Sequence, residues 1–479
     1  MGDSDPHAKT GAEDLYEKRA AVYALYRTGA PTNLQPMDTE RATPQMYRGM
    51  QRVRLQPRSR GVASIARQAL ADVADGRLTR LPVTIRFWDS TELSGADGAP
   101  VVVLREPRAL AHMLRAPGQL GAARAWVDGS LDVKDDLEGV LRARGAFDGI
   151  RLSARERARL AQAALRTLGP KALRPPPIPE AEARLRGARH WLARDRAAVR
   201  HHYDVSNRFY RLVLGPSLVY SCAYFGSPDD TLEAAQEHKL DLICRKLRLT
   251  EGERLLDIGC GWGSLAIHAA AQYGAVAVGV TLSEPQAALA RERVAEAGMQ
   301  GRVEIRVQDY RVVADGPYDK IASVGIYEHV GRAELGRYAN IAMSLLRPGG
   351  LFLNHGITRL VPHPPEADAF ISRYVFPDGE LHPVSDVLAV MEGAGLEIRD
   401  VESLREHYPL TLRRWVANLT AHRDEALAEV GIQRERVWRL YMLASALGFE
   451  AGEISVHQVL AARPGALHGL PLNRAQLLS

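Results

Sequence analysis

Beyond about residue 200 the chain alternates short apolar runs with amphipathic stretches. The apolar runs at 254–258, 276–281, 303–307, 319–324, 350–355, 396–403 and 454–461 predict strands. Helical periodicity over 231–248, 264–273, 284–297, 332–346 and 385–393 places a helix in most of the gaps. Such alternation predicts a Rossmann-like α/β fold, a mostly parallel seven-stranded sheet with helices on both faces. Two more helical patterns, 410–427 and 432–447, break the alternation and predict a helical cover over the sheet's ligand-binding end.

The N-terminal half is patterned differently. Residues 1 to about 45 mix charge, Pro and Gly without periodicity and are expected to be disordered. From 46 to 150 a small α/β domain is predicted, with a helix over 62–74, strands over 82–88 and 99–106, a helix over 108–116 and another from Leu137. Nothing in it has the spacing of a catalytic set, so binding or positioning is its expected role. Residues 151–200 read as two basic helices separated by RPPPIP at 174–179, which marks a domain boundary. The catalytic domain then runs over 201–465, followed by a tail, 466–479.

Composition narrows the class. The 479 residues are 46% hydrophobic and 25% charged, ordinary for a globular protein. No run of eighteen apolar residues spans a bilayer, and the polar N-terminus lacks a secretory signal. Three cysteines, Cys222, Cys244 and Cys260, are too few and scattered for a disulfide framework or zinc site, so no metal is expected. Net charge is only +5, but 151–200 carries thirteen Arg/Lys against Glu156, Glu180, Glu182 and Asp195, a local +9. Such a cluster suits phosphate, on nucleic acid or on an anionic membrane surface; a solvated charged helix is the plainer reading.

Chemistry centres on RLLDIGCGWGSL at 254–265, where a strand meets Asp257-x-Gly259-x-Gly261-x-Gly263 and a helix begins. A dinucleotide loop would place glycine where Ser264 stands, and no ribose-binding acid follows the next strand. Asp257 two residues before the first glycine suits S-adenosylmethionine instead. This makes the fold a class I S-adenosylmethionine-dependent methyltransferase. Thr281 and Gln286 would lie beside the ribose, Asp309 would accept from the adenine amino group, and Tyr310 would cover the ring. Gly259, Thr281, Asp309, Glu328 and His355 all fall at predicted strand ends, where open α/β sheets bind ligands. Glu328, His355 and Tyr408 together offer hydrogen bonds to a small anion, although Glu328–His329 read alone is equally a cap or an ion pair.

These residues sit in blocks that resemble the cyclopropane-fatty-acyl-phospholipid synthases and the related mycolic acid cyclopropane synthases. The resemblance runs from about 60 to 461 and rests on HHYDVSNRFY at 201–210, VYSCAYF at 219–225, DIGCGWGSL at 257–265, GVTLSEPQ at 279–286, IYEHVG at 326–331, HGI at 355–357, RYVFPDGELHPVSD at 373–386 and YPLTLRRW at 408–415. The segment at 120–137 also looks like the lipid-binding N-terminal domain of full-length members. The resemblance implies bicarbonate as general base, held by backbone N–H groups of Cys222 and Ile357 and by the side chains of Glu328, His355 and Tyr408. It further implies that Tyr220, Ser221, Gly259, Gly261, Thr281, Leu282 and Gln286 touch S-adenosylmethionine. One departure is ELHPV at 380–384, where members commonly have ELP, so His382 puts acyl-chain selectivity in doubt.

The expected reaction is methyl transfer to the cis double bond of an unsaturated acyl chain in membrane phospholipid. Aromatic faces such as Tyr224, Phe225 and Tyr408 would stabilise the cation formed. Proton loss from the new methyl closes a cyclopropane, the leading expectation. A hydride shift first gives a methylene branch, which a separate flavin- or NADPH-dependent reductase could convert to a methyl branch. The expected setting is cytoplasmic and peripheral on the inner face of the cell membrane, with a homodimer suggested by full-length members. RNA methylation is disfavoured because an Asn-Pro-Pro-Tyr tetrad and paired catalytic cysteines are lacking, so no nucleic-acid partner is expected. The intact set of anion-site residues argues against a non-catalytic binding protein.

Overall fold

The computed structural model describes residues 61–73, 81–144, 153–168, 174–183, 194, 206–360 and 370–478. The expected disordered N-terminus, most of the second basic helix and the first half of the HHYDVSNRFY block lie outside the described residues. The first basic helix is present over Ala154–Leu168.

In the N-terminal region β1 (Thr84–Arg86), β2 (Glu92–Leu93), β3 (Val101–Leu104) and β4 (Leu131–Lys134) form a four-stranded sheet in the order β2-β1-β3-β4. Helices Arg108–Arg115 and Gln119–Val127 connect β3 to β4. Asp136 caps the next helix, Leu137–Ala143, by accepting from Gly139 N at 2.7 Å.

The catalytic region holds β5 (Arg254–Ile258), β6 (Val276–Thr281), β7 (Val303–Val307), β8 (Tyr318–Val324), β9 (Leu346–Arg359), β10 (Glu397–Ser403) and β11 (Ile454–Ala462). They form a seven-stranded sheet in the order β10-β11-β9-β8-β5-β6-β7. Strands β5 to β9 pair in parallel, whereas β11 is antiparallel to both β9 and β10. The sheet is therefore mixed, as alternation alone could not show: the chain returns to β11 from the cover helices rather than through a crossover helix. Strand order reverses between β5 and β8, so a crevice opens at their carboxyl ends.

Two helices, His407–Ala421 and Arg423–Glu450, form the cover, the second broken at Gly431 (φ 74°, ψ 166°). One apolar cluster runs continuously from Phe87, Leu104 and Trp126 of the N-terminal region to Phe209, Tyr210, Trp262, Trp415 and Trp438 around the crevice. Polar contacts reinforce the join. Trp126 Nε1 donates to Arg436 O at 2.9 Å, and the Arg436 guanidinium lies 4.5 Å over the Trp126 ring while donating to Trp126 O. Buried Glu182 accepts two bonds from Arg124, at 2.7 and 2.8 Å, one from Arg373 and one from Tyr374. Residues Ser59–Ser479 accordingly cluster as one unit.

Candidate active site

Strand β5 delivers Asp257 and the glycine loop to the crevice. At Gly259 (φ 78°) a Cβ would meet Ile326 Cδ1 at 2.1 Å, so only glycine lets the loop pack on the turn after β8. At Gly261 (φ 56°) a Cβ would meet nothing within 4 Å, which leaves that side of the backbone open to a ligand. Gly263 then caps the helix Ser264–Tyr273. Asp257 is buried, and its Oδ2 has no hydrogen-bond partner. Burial pushes its carboxyl up to about 7, opposed by the charge of Lys239. A buried carboxylate oxygen without a donor, beside an open glycine backbone, fits the ammonium end of S-adenosylmethionine.

At the end of β6 Thr281 donates to Gln286 Oε1 at 3.0 Å and accepts from Ser283 N, and both Thr281 and Gln286 are buried. Leu282 is half-buried. Asp309, expected as an adenine acceptor, is held by its own turn. It caps the 3-10 turn Tyr310–Val312, and Arg311 donates to both its oxygens at 2.9 and 2.7 Å. Tyr310 packs edge-on against Tyr338, with ring centroids 5.7 Å apart.

Across the crevice Tyr220 belongs to a group of rings with Tyr210, Trp415 and Trp438 at 5.3–5.6 Å, and its hydroxyl is 3.4 Å from that of Tyr441. Ser221 and Cys222 follow, both buried. Burial pushes the Cys222 thiol far up, so it is no thiolate, in keeping with a backbone rather than a nucleophilic role. Tyr224 stacks on His407 (4.7 Å), and Phe225 N donates to His407 Nδ1 at 3.1 Å. These two rings are thus engaged with His407.

Glu328, His355 and Ile357 lie where β8, β9 and β11 run side by side. Glu328 sits in the turn after β8 and His355 pairs with Val324, the last residue of β8. The predicted strand end at 355 is instead the end of the parallel ladder, because β9 continues to Arg359 against β11 alone. Ile357 N donates to Glu328 Oε1 at 2.7 Å, so this N–H orients the carboxylate instead of standing free for an anion. Gly356 makes this possible: a Cβ there would lie 2.0 Å from the Tyr327 ring. Cys222 Sγ lies 3.8 Å from Leu404 O, and Leu404 N bonds Val456 O, whose residue pairs with Ile357. Tyr408, one turn beyond Leu404, is buried and stacks on Phe449 at 4.4 Å.

Glu328 Oε2 and His355 Nε2 are both buried without a hydrogen-bond partner. Burial raises the Glu328 carboxyl to about 7 and lowers His355 to about 3, so the ring is neutral at physiological pH. Each is a buried, unpartnered polar atom of the kind that a small oxyanion, which both accepts and donates, would satisfy. Among the described residues, no group of three or more His, Cys, Asp or Glu is placed to hold a metal.

The sequence reading missed Lys239 and Gln458. Lys239 is buried, with its ammonium pulled down to about 8 by burial, and Asp257 opposes that fall. Its helix, Leu232–Lys246, buries Ala235, Gln236, Lys239 and Leu242 on one face, so a polar interruption of the apolar stripe was the available signal. Gln458 is a lone amide in the apolar strand β11, and its Nε2 lies 3.2 Å from His355 Nδ1.

Sheet order and a glycine-loop crevice of this shape define a class I S-adenosylmethionine-dependent methyltransferase. Comparison with known proteins makes this specific: the chain belongs to the mycolic acid cyclopropane synthetase family, which matches residues 190–459. It is 40% identical over 405 residues to a probable fatty acid methyltransferase of Mycobacterium tuberculosis, covering 82% of this chain and 94% of the relative. It is 34% identical over 428 residues to the tuberculostearic acid methyltransferase UfaA1 of the same organism, covering 85% and 93%. The crystal structure of the mycolic acid cyclopropane synthase CmaA1 with SAH and CTAB superposes with a TM-score of 0.54 at 34% identity, covering 56% of this chain and 98% of that one. The protein is an S-adenosylmethionine-dependent fatty acid methyltransferase.

Proposed function

We propose that the enzyme methylates the cis double bond of an unsaturated acyl chain in membrane phospholipid and that the product is a mid-chain methylene branch, reduced elsewhere to a methyl branch. The observation that carries the outcome is which relatives span the chain. Those matching more than four-fifths of it are named for methyl transfer, one of them to tuberculostearic acid, a methyl-branched acid. The cyclopropane-fatty-acyl-phospholipid synthase of Escherichia coli matches 57% of this chain and 70% of its own length. Cyclopropane formation is therefore the second reading.

S-adenosylmethionine supplies an electrophilic methyl group when bound. Asp257 would hold its ammonium, with Gly259, Gly261, Thr281, Leu282 and Gln286 along its length. Tyr220 and Ser221 would border the reacting end. The π pair of the olefin attacks the methyl carbon as the sulfur–carbon bond breaks, leaving a cation in the acyl chain. The rings around Tyr220 exclude water and face that cation with their π electrons. A hydride shift from the methylated carbon moves the cation onto it, and loss of a proton from the new methyl group gives the methylene. Loss of that proton without the shift closes a cyclopropane instead.

Bicarbonate, when bound between Glu328 and His355, supplies a weak base for that proton. Glu328 Oε2 and His355 Nε2 would bind it, with the Cys222 N–H and Tyr408 completing the enclosure. Ile357 acts through Glu328.

The two products are isomers of equal mass. The purified protein would be incubated with a dioleoyl phospholipid and S-adenosylmethionine, and the lipid subjected to ozonolysis and mass spectrometry. A methylene branch is cleaved at the new double bond and gains two hydrogens with an NADPH-dependent reductase. A product inert to both is a cyclopropane and overturns the branching reading.

Membrane contact belongs to the same proposal. Helix Ala154–Leu168 exposes Arg155, Arg157, Arg159 and Arg166, each contributing roughly 1 kcal/mol near an anionic surface. Binding to phosphatidylglycerol vesicles should weaken as salt rises. No described helix is long and apolar enough to cross a membrane. Salt-insensitive binding would point to an inserted apolar face instead.

A further inference from the structure

His355 and Gln458 stand opposite each other in the β9–β11 ladder. They are 2% and 0% exposed, and Gln458 Nε2 lies 3.2 Å from His355 Nδ1. With the amide nitrogen facing the ring, Nδ1 accepts and carries the ring's lone pair, and Gln458 Oε1 is left buried without a partner. A neutral imidazole then has its single hydrogen on Nε2, an atom without a protein partner. The neighbours of Gln458 in the strand, Val456, Val459 and Leu460, are buried and apolar. An amide placed among them loses its hydration, which the bond to His355 partly offsets.

We propose that Gln458 is a positioning residue that holds His355 as the Nε2–H tautomer, so that the unpartnered Nε2 keeps an N–H donor to offer the small anion of the proposed site. The opposite tautomer would turn a lone pair toward the anion's oxygens and remove a donor from the site. The role in catalysis rests on the bicarbonate reading above; the tautomer itself does not.

The test uses the full chain labelled with 15N-histidine. The His355 ring resonances are identified by their loss in His355→Gln. The wild-type spectrum should show Nδ1 unprotonated and Nε2 protonated. In Gln458→Glu the carboxylate accepts from Nδ1, so the hydrogen should move there or the ring should become doubly protonated. The bicarbonate concentration for half-maximal turnover should rise about ten- to a hundredfold, the range seen when an orienting partner is lost. The S-adenosylmethionine Kd, measured by calorimetry, should be unchanged.

A wild-type ring protonated on Nδ1 overturns the proposal without any variant. So does a Gln458→Glu protein whose His355 resonances are those of wild type. Wild-type turnover indifferent to bicarbonate, together with the expected tautomer and its reversal, would refute the base and with it the catalytic role of Gln458, while supporting its hold on the tautomer.

Discussion

Replacing Glu328 with glutamine should abolish turnover and yet make the ligand-free protein more stable. Burial raises this carboxyl from 4.5 to about 7. Each unit is worth 1.36 kcal/mol, so keeping the group ionised costs the folded state about 3 kcal/mol above pH 7. The sign follows from proton binding. An acid whose folded pKa exceeds its unfolded value binds its proton more tightly when folded, so stability falls as pH rises through the window from about 4.5 to 7. Glutamine has no such window. It keeps the bond from Ile357 N, 2.7 Å in the wild type, whose support of the charged form is already contained in the raised carboxyl. The net gain is about 3 kcal/mol at pH 8.

The assay is urea unfolding of wild type and Glu328→Gln at intervals from pH 4.5 to 8. The variant should match wild type at the acid end, pull ahead through the window, and lead by about 3 kcal/mol at pH 8. His355, held low at about 3 by burial, makes stability rise with pH up to 6.5 in both proteins, so its contribution cancels in the difference. A difference that stays flat across the window would refute the reasoning: Glu328 would then not be a strongly desolvated carboxyl.

Other predictions address neighbouring parts of the site. Gly261→Ala should cost about 1 kcal/mol of stability from its left-handed backbone, but weaken S-adenosylmethionine binding at least about tenfold by calorimetry, because the Cβ enters space open to the cofactor. An unchanged Kd would mean the cofactor does not lie along that face. His355→Ala should bind S-adenosylmethionine as wild type does and lose turnover on unsaturated phospholipid; wild-type rates would remove the anion site from the mechanism. Glu182→Ala leaves Arg124 without its paired carboxylate and should cost about 3 kcal/mol, read from the urea midpoint. An unchanged midpoint would show that this ion pair does not stabilise the join between N-terminal and catalytic regions.

Much of the secondary structure was legible because its signals are local. Strands Arg254–Ile258, Val276–Thr281 and Val303–Val307 and helix Ser264–Tyr273 lie where periodicity put them. So does the helical cover, since amphipathic spacing and glycine placement act over one or two turns. The glycine loop was legible for the same reason: three alternating glycines after a strand constrain their own backbone. The hold of Arg311 on Asp309 shows the limit of this reading: a strand-end carboxylate looks the same in sequence whether or not an arginine two residues on bonds both its oxygens.

The amino-acid sequence alone determined the class of fold, the cofactor loop and the residue types available for an anion. Tertiary structure decided what those residues face. The pairing of His355 with Gln458 comes from antiparallel register between strands about a hundred residues apart. Exclusion of water raises Glu328 and Asp257 and keeps His355 neutral, and it depends on helices and strands closing from several sides. Periodicity records which way a side chain points, whereas protonation and hydrogen-bond direction are set by whatever the rest of the chain packs against it.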